Sequence, residues 1–257
     1  MNIEPVAVFH SPVKGKFGLP RQSGLAASLV GEVELLPPYK REEALRGLEG
    51  FDYIWLVWEF SLNSPDSRCA DSSAGAGAAA AAFGSGAAAE TGNTAPSVPL
   101  TVRPPRLGGN TRVGVFASRS PFRPNRLGLS SVKIAGIDPG RGVIHVLGAD
   151  LADGTPIYDI KPYVPYADSH PEARGGFTDS TAWQPLEVVF ECNVPAEWQA
   201  GDGSGAARPV DALRELLSQD PRPQYQDDPE REYGLLFEGR NVRFKVKGDT
   251  LNVFSIE

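Results

Sequence analysis

Strand-length apolar runs recur along this chain with very little helical periodicity between them, and no other feature restricts the fold as much. Ile3 to Phe9 reads as a first strand and Val30 to Leu36 as a second. In the second, Val33 and Leu35 alternate with Glu32 and Glu34, the period of a half-buried strand. Tyr53 to Phe60 is a continuous apolar and aromatic run of strand length, and shorter runs follow at Val113 to Ser118, Leu127 to Ile137, Val143 to Leu147 and Ile157 to Ile160. In this part only Arg41 to Leu48 looks helical, with Ala44, Leu45 and Leu48 on one side and an end near Gly50. Short strands joined by turns, with one early helix, favour a β-barrel or sandwich over a doubly wound sheet.

Pro171 to Ser180 is polar and contains glycine, which makes it the expected domain boundary. Beyond it, Leu186 to Cys192 reads as a strand and Asp211 to Leu217 as a short amphipathic helix. Val242, Phe244 and Val246 then alternate with Arg243, Lys245 and Lys247 before a final run from Asn252 to Ile256. The expectation is a mainly β protein, with a small β-barrel domain over residues 1–170 and a small α+β domain over 181–257. An insertion at about 64–98 interrupts the barrel domain. There, Ala74 to Ala89 is almost wholly Ala, Gly and Ser around Phe83, and the interleaved glycines and missing apolar face predict a disordered loop without chemistry.

With 257 residues and 41% hydrophobic content, the chain suffices for one large domain or a medium and a small one. It has no run of about twenty apolar residues, and Met1 to Pro5 lacks the basic flank and apolar stretch of a signal peptide. Cys69 and Cys192 are the only cysteines, so a disulfide framework is not expected and a cytoplasmic location is. His10, His145 and His170 are scattered, and no metal motif is present.

The charge is unevenly spread. The protein is net −7, yet between Thr91 and Ile137 it has no acidic residue and carries Arg103, Arg106, Arg112, Arg119, Arg123, Arg126 and Lys133. Such a block reads either as a local anion site or as a solvated face, although a solvated face normally mixes signs. Arginine suits phosphate and carboxylate oxygens, and the flanking prolines stiffen the loops that present it. Three other segments carry polar groups that a core does not need: Lys16 to Leu25, Asp150 to Pro156, and Tyr158 to Asp168. Asp153-Gly154 is either a plain turn or part of a site. The tyrosines of the last segment either pack or stack on a base, and Asp159 with Lys161 is either functional or a neutralising pair on one strand face. No G-x-G-x-x-G follows a strand and no P-loop occurs. Together the segments fit an adenine-containing ligand with an anionic partner.

Arg103 to Asn110, followed by Gly114 to Asn125, closely resembles the signature of the TsaA-like TrmO family. Asp153-Gly154-Thr155-Pro156 with Asp159-Ile160-Lys161-Pro162-Tyr163 matches a second signature, and Lys16 to Gln22 and Arg46 to Phe51 match two more. Asp220-Pro221-Arg222-Pro223 with Tyr225, and Asn241-Val242-Arg243, look like the C-terminal module of bacterial members. The resemblance implies a small dimerising β-barrel, neither Rossmann nor knotted. It implies transfer of a methyl group from S-adenosylmethionine to N6 of threonylcarbamoyladenosine at position 37, in the tRNA anticodon loop.

By the same resemblance, cofactor contacts fall at Ser23, Gly24 and Leu25, at Ser61 and Leu62, at Arg119 and Leu129, and at Ala149, Asp150 and Leu151. Two departures matter: the family often has His where Ser61 stands, and commonly Pro where Arg126 stands. Asp159 and Asp153 are candidate bases for the N6 proton, because a carboxylate or a water held by one is expected there. Lys161 and Tyr163 are candidates for orienting either ligand. Arg103, Arg106, Arg123, Asn125, Arg126 and Arg222 are candidate tRNA contacts, and Arg119 and Arg123 would hold the threonyl carboxylate. The rival readings are a non-catalytic RNA-binding module and a methyltransferase with a different acceptor.

Overall fold

The computed structural model describes residues 3–63, 100–107, 111–181, 183–200, 207–222 and 228–257. The insertion expected at about 64–98 lies outside the described residues. Six strands close into a barrel: β1 (Ala7–His10), β2 (Val30–Leu35), β3 (Tyr53–Glu59), β6 (Leu127–Asp138), β7 (Val143–Leu147) and β8 (Thr155–Pro162). Their order around the barrel is β1-β2-β7-β6-β3-β8, and every pairing is antiparallel. Between β3 and β6 a small ribbon pairs β4 (Thr101–Val102) with β5 (Val113–Gly114). Four more strands make a second sheet: β9 (Glu187–Phe190), β10 (Tyr233–Phe237), β11 (Arg240–Lys247) and β12 (Thr250–Ile256), in the order β10-β11-β12-β9.

The alternation seen in the sequence sets the two faces of each strand. Val33 and Leu35 point inward from β2, as do Ile54, Leu56 and Trp58 from β3 and Ile144 and Val146 from β7, forming the barrel core. Gly128 gives Trp58 its room, since a Cβ there would lie 2.3 Å from the indole ring. The second core packs the ten-residue helix Pro209–Ser218, through Leu213, Leu216 and Leu217, on Phe244, Val246 and Leu251. Val13, Ala26 and Leu29, from the loop between β1 and β2, belong to this second core. Val13 bridges Phe237, and both the backbone N–H and the hydroxyl of Ser28 donate to Glu215, at 2.7 and 2.8 Å. One barrel loop is therefore built into the neighbouring unit.

Three local expectations change. The strand expected at Val113 to Ser118 pairs only at Val113–Gly114 and then tightens into a 3-10 turn, leaving Phe116 77% exposed. The helix expected over Arg41 to Leu48 is four residues, Glu42–Leu45, because Gly47 turns the chain with φ +88°. The first strand begins at Ala7 rather than Ile3.

Candidate active site

Two glycines bring two of the expected cofactor segments together at one end of the barrel. The Gly24 N–H donates to the Gly148 carbonyl at 2.8 Å, and the Gly148 N–H donates to the Leu29 carbonyl at 2.9 Å. Gly148 has φ +73°, and a Cβ on it would lie 3.3 Å from the Cα of Gly24, so the approach needs both the left-handed backbone and the missing side chain. Ser23 to Leu25 thus lies beside Ala149 to Leu151. The side chains of Ala149 and Leu151 are buried in the barrel core, which leaves their backbone, and Asp150, to face a ligand.

Asp150 is the centre of this cluster. The Ser130 hydroxyl donates to its Oδ1 at 2.5 Å, the Trp58 indole N–H donates to the Ser130 oxygen at 2.9 Å, and the Ser23 backbone N–H also reaches the carboxylate. Burial pushes the Asp150 carboxyl above the ordinary carboxylate range, against these donors and the nearby Arg119 guanidinium. Arg119 Nη1 donates to Gln22 Oε1 at 2.5 Å. A buried carboxylate, a guanidinium and open glycine backbone at Gly24 can together hold a zwitterionic ligand carrying hydroxyls.

The loop from Ser118 to Leu127 folds on itself. Arg123 Nη1 donates to the Ser118 carbonyl at 3.1 Å, and the Arg126 N–H donates to the Arg123 carbonyl at 3.2 Å. Arg126 adopts φ +49°, and its carbonyl accepts from the Phe60 N–H at 2.9 Å, which brings the loop beside Ser61 and Leu62. Part of Arg123's donor capacity is therefore spent on its own loop. Asn125 and Arg103 are exposed.

The outer face of the barrel gathers a different group. Leu129, Val57 and Asp159 are paired in one row across β6, β3 and β8, and Ser131, Trp55 and Lys161 form the next row. Leu129 is 58% exposed. Asp159 and Lys161 are ion-paired at 2.8 Å, and the hydrogen bond that Lys161 donates to Asp159 raises the lysine above its ordinary value. Tyr163 follows with its ring 5.7 Å from Trp55 and 6.2 Å from Tyr53, so its aromatic surface is used in packing. Leu129, Asp159, Lys161 and Tyr163 thus come together on the outer face, whereas Ser130, the next residue of β6, turns inward to Asp150.

Asp153 stands with another set. It accepts from Lys14 Nζ at 2.8 Å and the Ser11 N–H at 3.0 Å, and His10 lies 3.8 Å away. Burial opposes its ionisation, yet the bonds from Lys14 and Ser11 prevail and hold it below the ordinary carboxylate range. Arg222 makes a paired contact with Asp220 at 2.8 and 3.0 Å. Sequence reasoning placed Gln22 in a signature without giving it a role, and missed Trp58 and Ser130. Of these two Ser130 left a signal, a polar residue at an inward position between Gly128 and Val132 of β6.

Among the described residues no group of His, Cys, Asp and Glu has the makings of a metal site. The tRNA-methyltransferase O N-terminal domain family matches residues 8–85 and 87–169, and the TrmO C-terminal domain family matches 184–257. The chain is 36% identical to the tRNA (adenine(37)-N6)-methyltransferase of Escherichia coli (strain K12), over 99% of this chain and 97% of that one. It is 38% identical to a putative S-adenosylmethionine-dependent methyltransferase, RcsF, of Pseudomonas aeruginosa, over 91% and 87%. The crystal structure of TrmO from Pseudomonas aeruginosa superposes with a TM-score of 0.71 at 28% identity, covering 100% of this chain and 98% of that one. With its barrel and second sheet both matched, the chain belongs to the tRNA-methyltransferase O family.

Proposed function

We propose that this protein methylates N6 of adenine 37 in tRNA with S-adenosylmethionine as donor, and that the acceptor is threonylcarbamoyladenosine. The observation that carries the reading is the half-buried Asp150, held by Ser130 and Ser23 beside Arg119. It occurs in a chain that is similar over nearly its whole length to an adenine-37 N6-methyltransferase. The proposed division of labour is a catalytic barrel over 1–170 and a C-terminal unit over 181–257.

The site fits the cofactor. Asp150 would take its ammonium or ribose hydroxyls, Arg119 its carboxylate, and the backbone of Ser23, Gly24, Ala149 and Leu151 its polar edges. Ser61, Leu62 and the exposed Leu129 would bound the apolar side. When bound, S-adenosylmethionine supplies an electrophilic methyl group. The protein's own task is positioning, which alone can supply roughly 7–11 kcal/mol of a reaction barrier. The N6 proton also needs an acceptor. Asp159 is the better candidate, since its side chain is 46% exposed against 25% for Asp153. Lys161 is ion-paired with Asp159, and with Tyr163 it would orient the acceptor. Arg103, Arg106, Arg123, Asn125, Arg126 and Arg222 would contact tRNA.

A homodimer is part of the proposal, because Leu129, beside Val57 on the barrel's outer face, is an exposed apolar side chain. A cytoplasmic location is proposed from the cysteine content alone; no helix among the described residues is long and apolar enough to cross a membrane. The test is mass spectrometry of tRNA nucleosides from cells lacking the protein, complemented with wild type or with Arg119→Ala. Wild type should restore methylated threonylcarbamoyladenosine and Arg119→Ala should not. An unchanged nucleoside profile on deletion removes the tRNA assignment.

A further inference from the structure

Near the junction of the barrel and the second unit, the Arg21 guanidinium has that of Arg106 close enough to repel it. Arg21, on the loop between β1 and β2, is partly buried, and the desolvation of its charge, with a smaller repulsion from Arg106, lowers its affinity for a proton against the attraction of Asp220. Its Nη1 is enclosed with no hydrogen-bond partner, and its Nη2 reaches only the Asp220 carbonyl, at the long distance of 3.4 Å. Arg106, from the 3-10 turn Pro105–Leu107, has no acceptor within reach among the described residues. The one carboxylate nearby, that of Asp220, is taken by the two-pronged contact with Arg222. Buried donors are nearly always paired, so an enclosed, unpaired guanidinium nitrogen beside a second unpaired guanidinium is unusual enough to need a cause.

We infer that Arg21 and Arg106 share one oxyanion, and that it is a backbone phosphate of the RNA substrate. This rests on the proposed tRNA activity. A phosphate relieves the mutual repulsion and replaces the unmade hydrogen bonds, since guanidinium groups bind phosphate oxygens in pairs. Two carboxylates are the other possible sources: that of the cofactor and that of the threonyl group. The phosphate is favoured by location. Arg21 adjoins Gln22, whose side chain is turned to Arg119, and on its other side meets Asp220 of the second unit. The site therefore lies beyond Gln22 from Asp150, where an RNA strand entering the pocket would pass.

The experiment measures binding of an anticodon stem-loop, with and without threonylcarbamoyl modification, over a salt series, together with binding of S-adenosylmethionine alone. Wild type, Arg21→Ala, Arg21→Lys and Arg106→Ala are compared. For a phosphate site, Arg21→Ala and Arg106→Ala each weaken both RNAs about tenfold and reduce the slope of log affinity against log salt by about 1. Arg21→Lys keeps the slope, and cofactor affinity stays at the wild-type value. A loss confined to the modified RNA assigns the site to the threonyl carboxylate, and a loss of cofactor affinity assigns it to the cofactor; either overturns the phosphate. Unchanged RNA binding and slope, with wild type binding normally, overturns the site itself. If wild type binds neither RNA, it is the tRNA reading that fails.

Discussion

Replacing Ser130 by Ala would test whether Asp150 is held as described. The Ser130 side chain is 1% exposed and carries two bonds at once, accepting from Trp58 Nε1 and donating to Asp150. Alanine leaves the Trp58 N–H without its acceptor, inside a barrel where the indole is 5% exposed, and removes one donor from a buried carboxylate. Each orphaned group costs about 1–3 kcal/mol, so the pair comes to about 2–6 kcal/mol. For a chain of this size that lowers the melting temperature by about 4–24 °C.

The loss should also depend on pH. Burial raises the Asp150 carboxyl in the folded protein, so stability from this group is fully present below the unfolded carboxylate range and falls as pH rises through the folded value. Without Ser130 the folded value rises further, and the penalty at neutral pH grows. The gap between wild type and variant should therefore be smaller in acid, where only the Trp58 cost remains, and widen toward neutral pH. Differential scanning calorimetry over a pH series reads both effects, with Ser131→Ala, on the outer side of β6, as the control. A Ser130→Ala protein that melts within about 2 °C of wild type, with a parallel pH profile, would refute the network.

Two further predictions need less argument. Gly148→Ala imposes a left-handed residue, at about 1–2 kcal/mol, and presses on Gly24. Isothermal titration calorimetry should show S-adenosylmethionine affinity falling at least tenfold, and unchanged affinity would mean that the Gly24–Gly148 approach does not shape the cofactor site. Tyr158 donates to Glu59 Oε2 at 2.6 Å, and that bond holds its phenol proton up to about 12. Stability from this bond is fully present below the ordinary tyrosine range and lost as pH rises through about 12. Absorbance titration against Tyr158→Phe should find one late tyrosine step that Glu59→Gln moves earlier; a step in the ordinary range in wild type contradicts the bond.

The barrel was legible in the sequence because its strands alternate, as Val33 and Leu35 do, and because turns separate them. What periodicity cannot convey is which strand ends meet. Asp150 and Ser130 lie on different strands' ends, and only the closure of β6 against β7 brings them within a hydrogen bond. The family signatures pointed to Ser23 to Leu25 and Ala149 to Leu151, and the two are joined through Gly24 and Gly148. Separation of Asp153 from Asp159 was not legible, because six residues of β8 and its turn carry them to different surroundings. The strand expected through Ser118 failed for a related reason: after the Val115 N–H bonds the Leu100 carbonyl, no described strand continues beside Phe116 and Ala117. Packing of Val13, Ala26 and Leu29 into the second core left no pattern in a loop rich in glycine and polar residues.

That loop sets an order of events during synthesis. Chains leave the ribosome N-terminus first and begin to fold as they emerge, so Ser23, Gly24 and Leu25 appear early. Their neighbours Val13, Ala26 and Leu29 find lasting cover only with Val188, Leu213 and Phe244, which are translated much later. The barrel strands can pair beforehand, but the segment that faces the cofactor stays unanchored meanwhile. A prematurely terminated chain would thus carry every barrel strand and still lack the cover over Val13, Ala26 and Leu29 that fixes this loop.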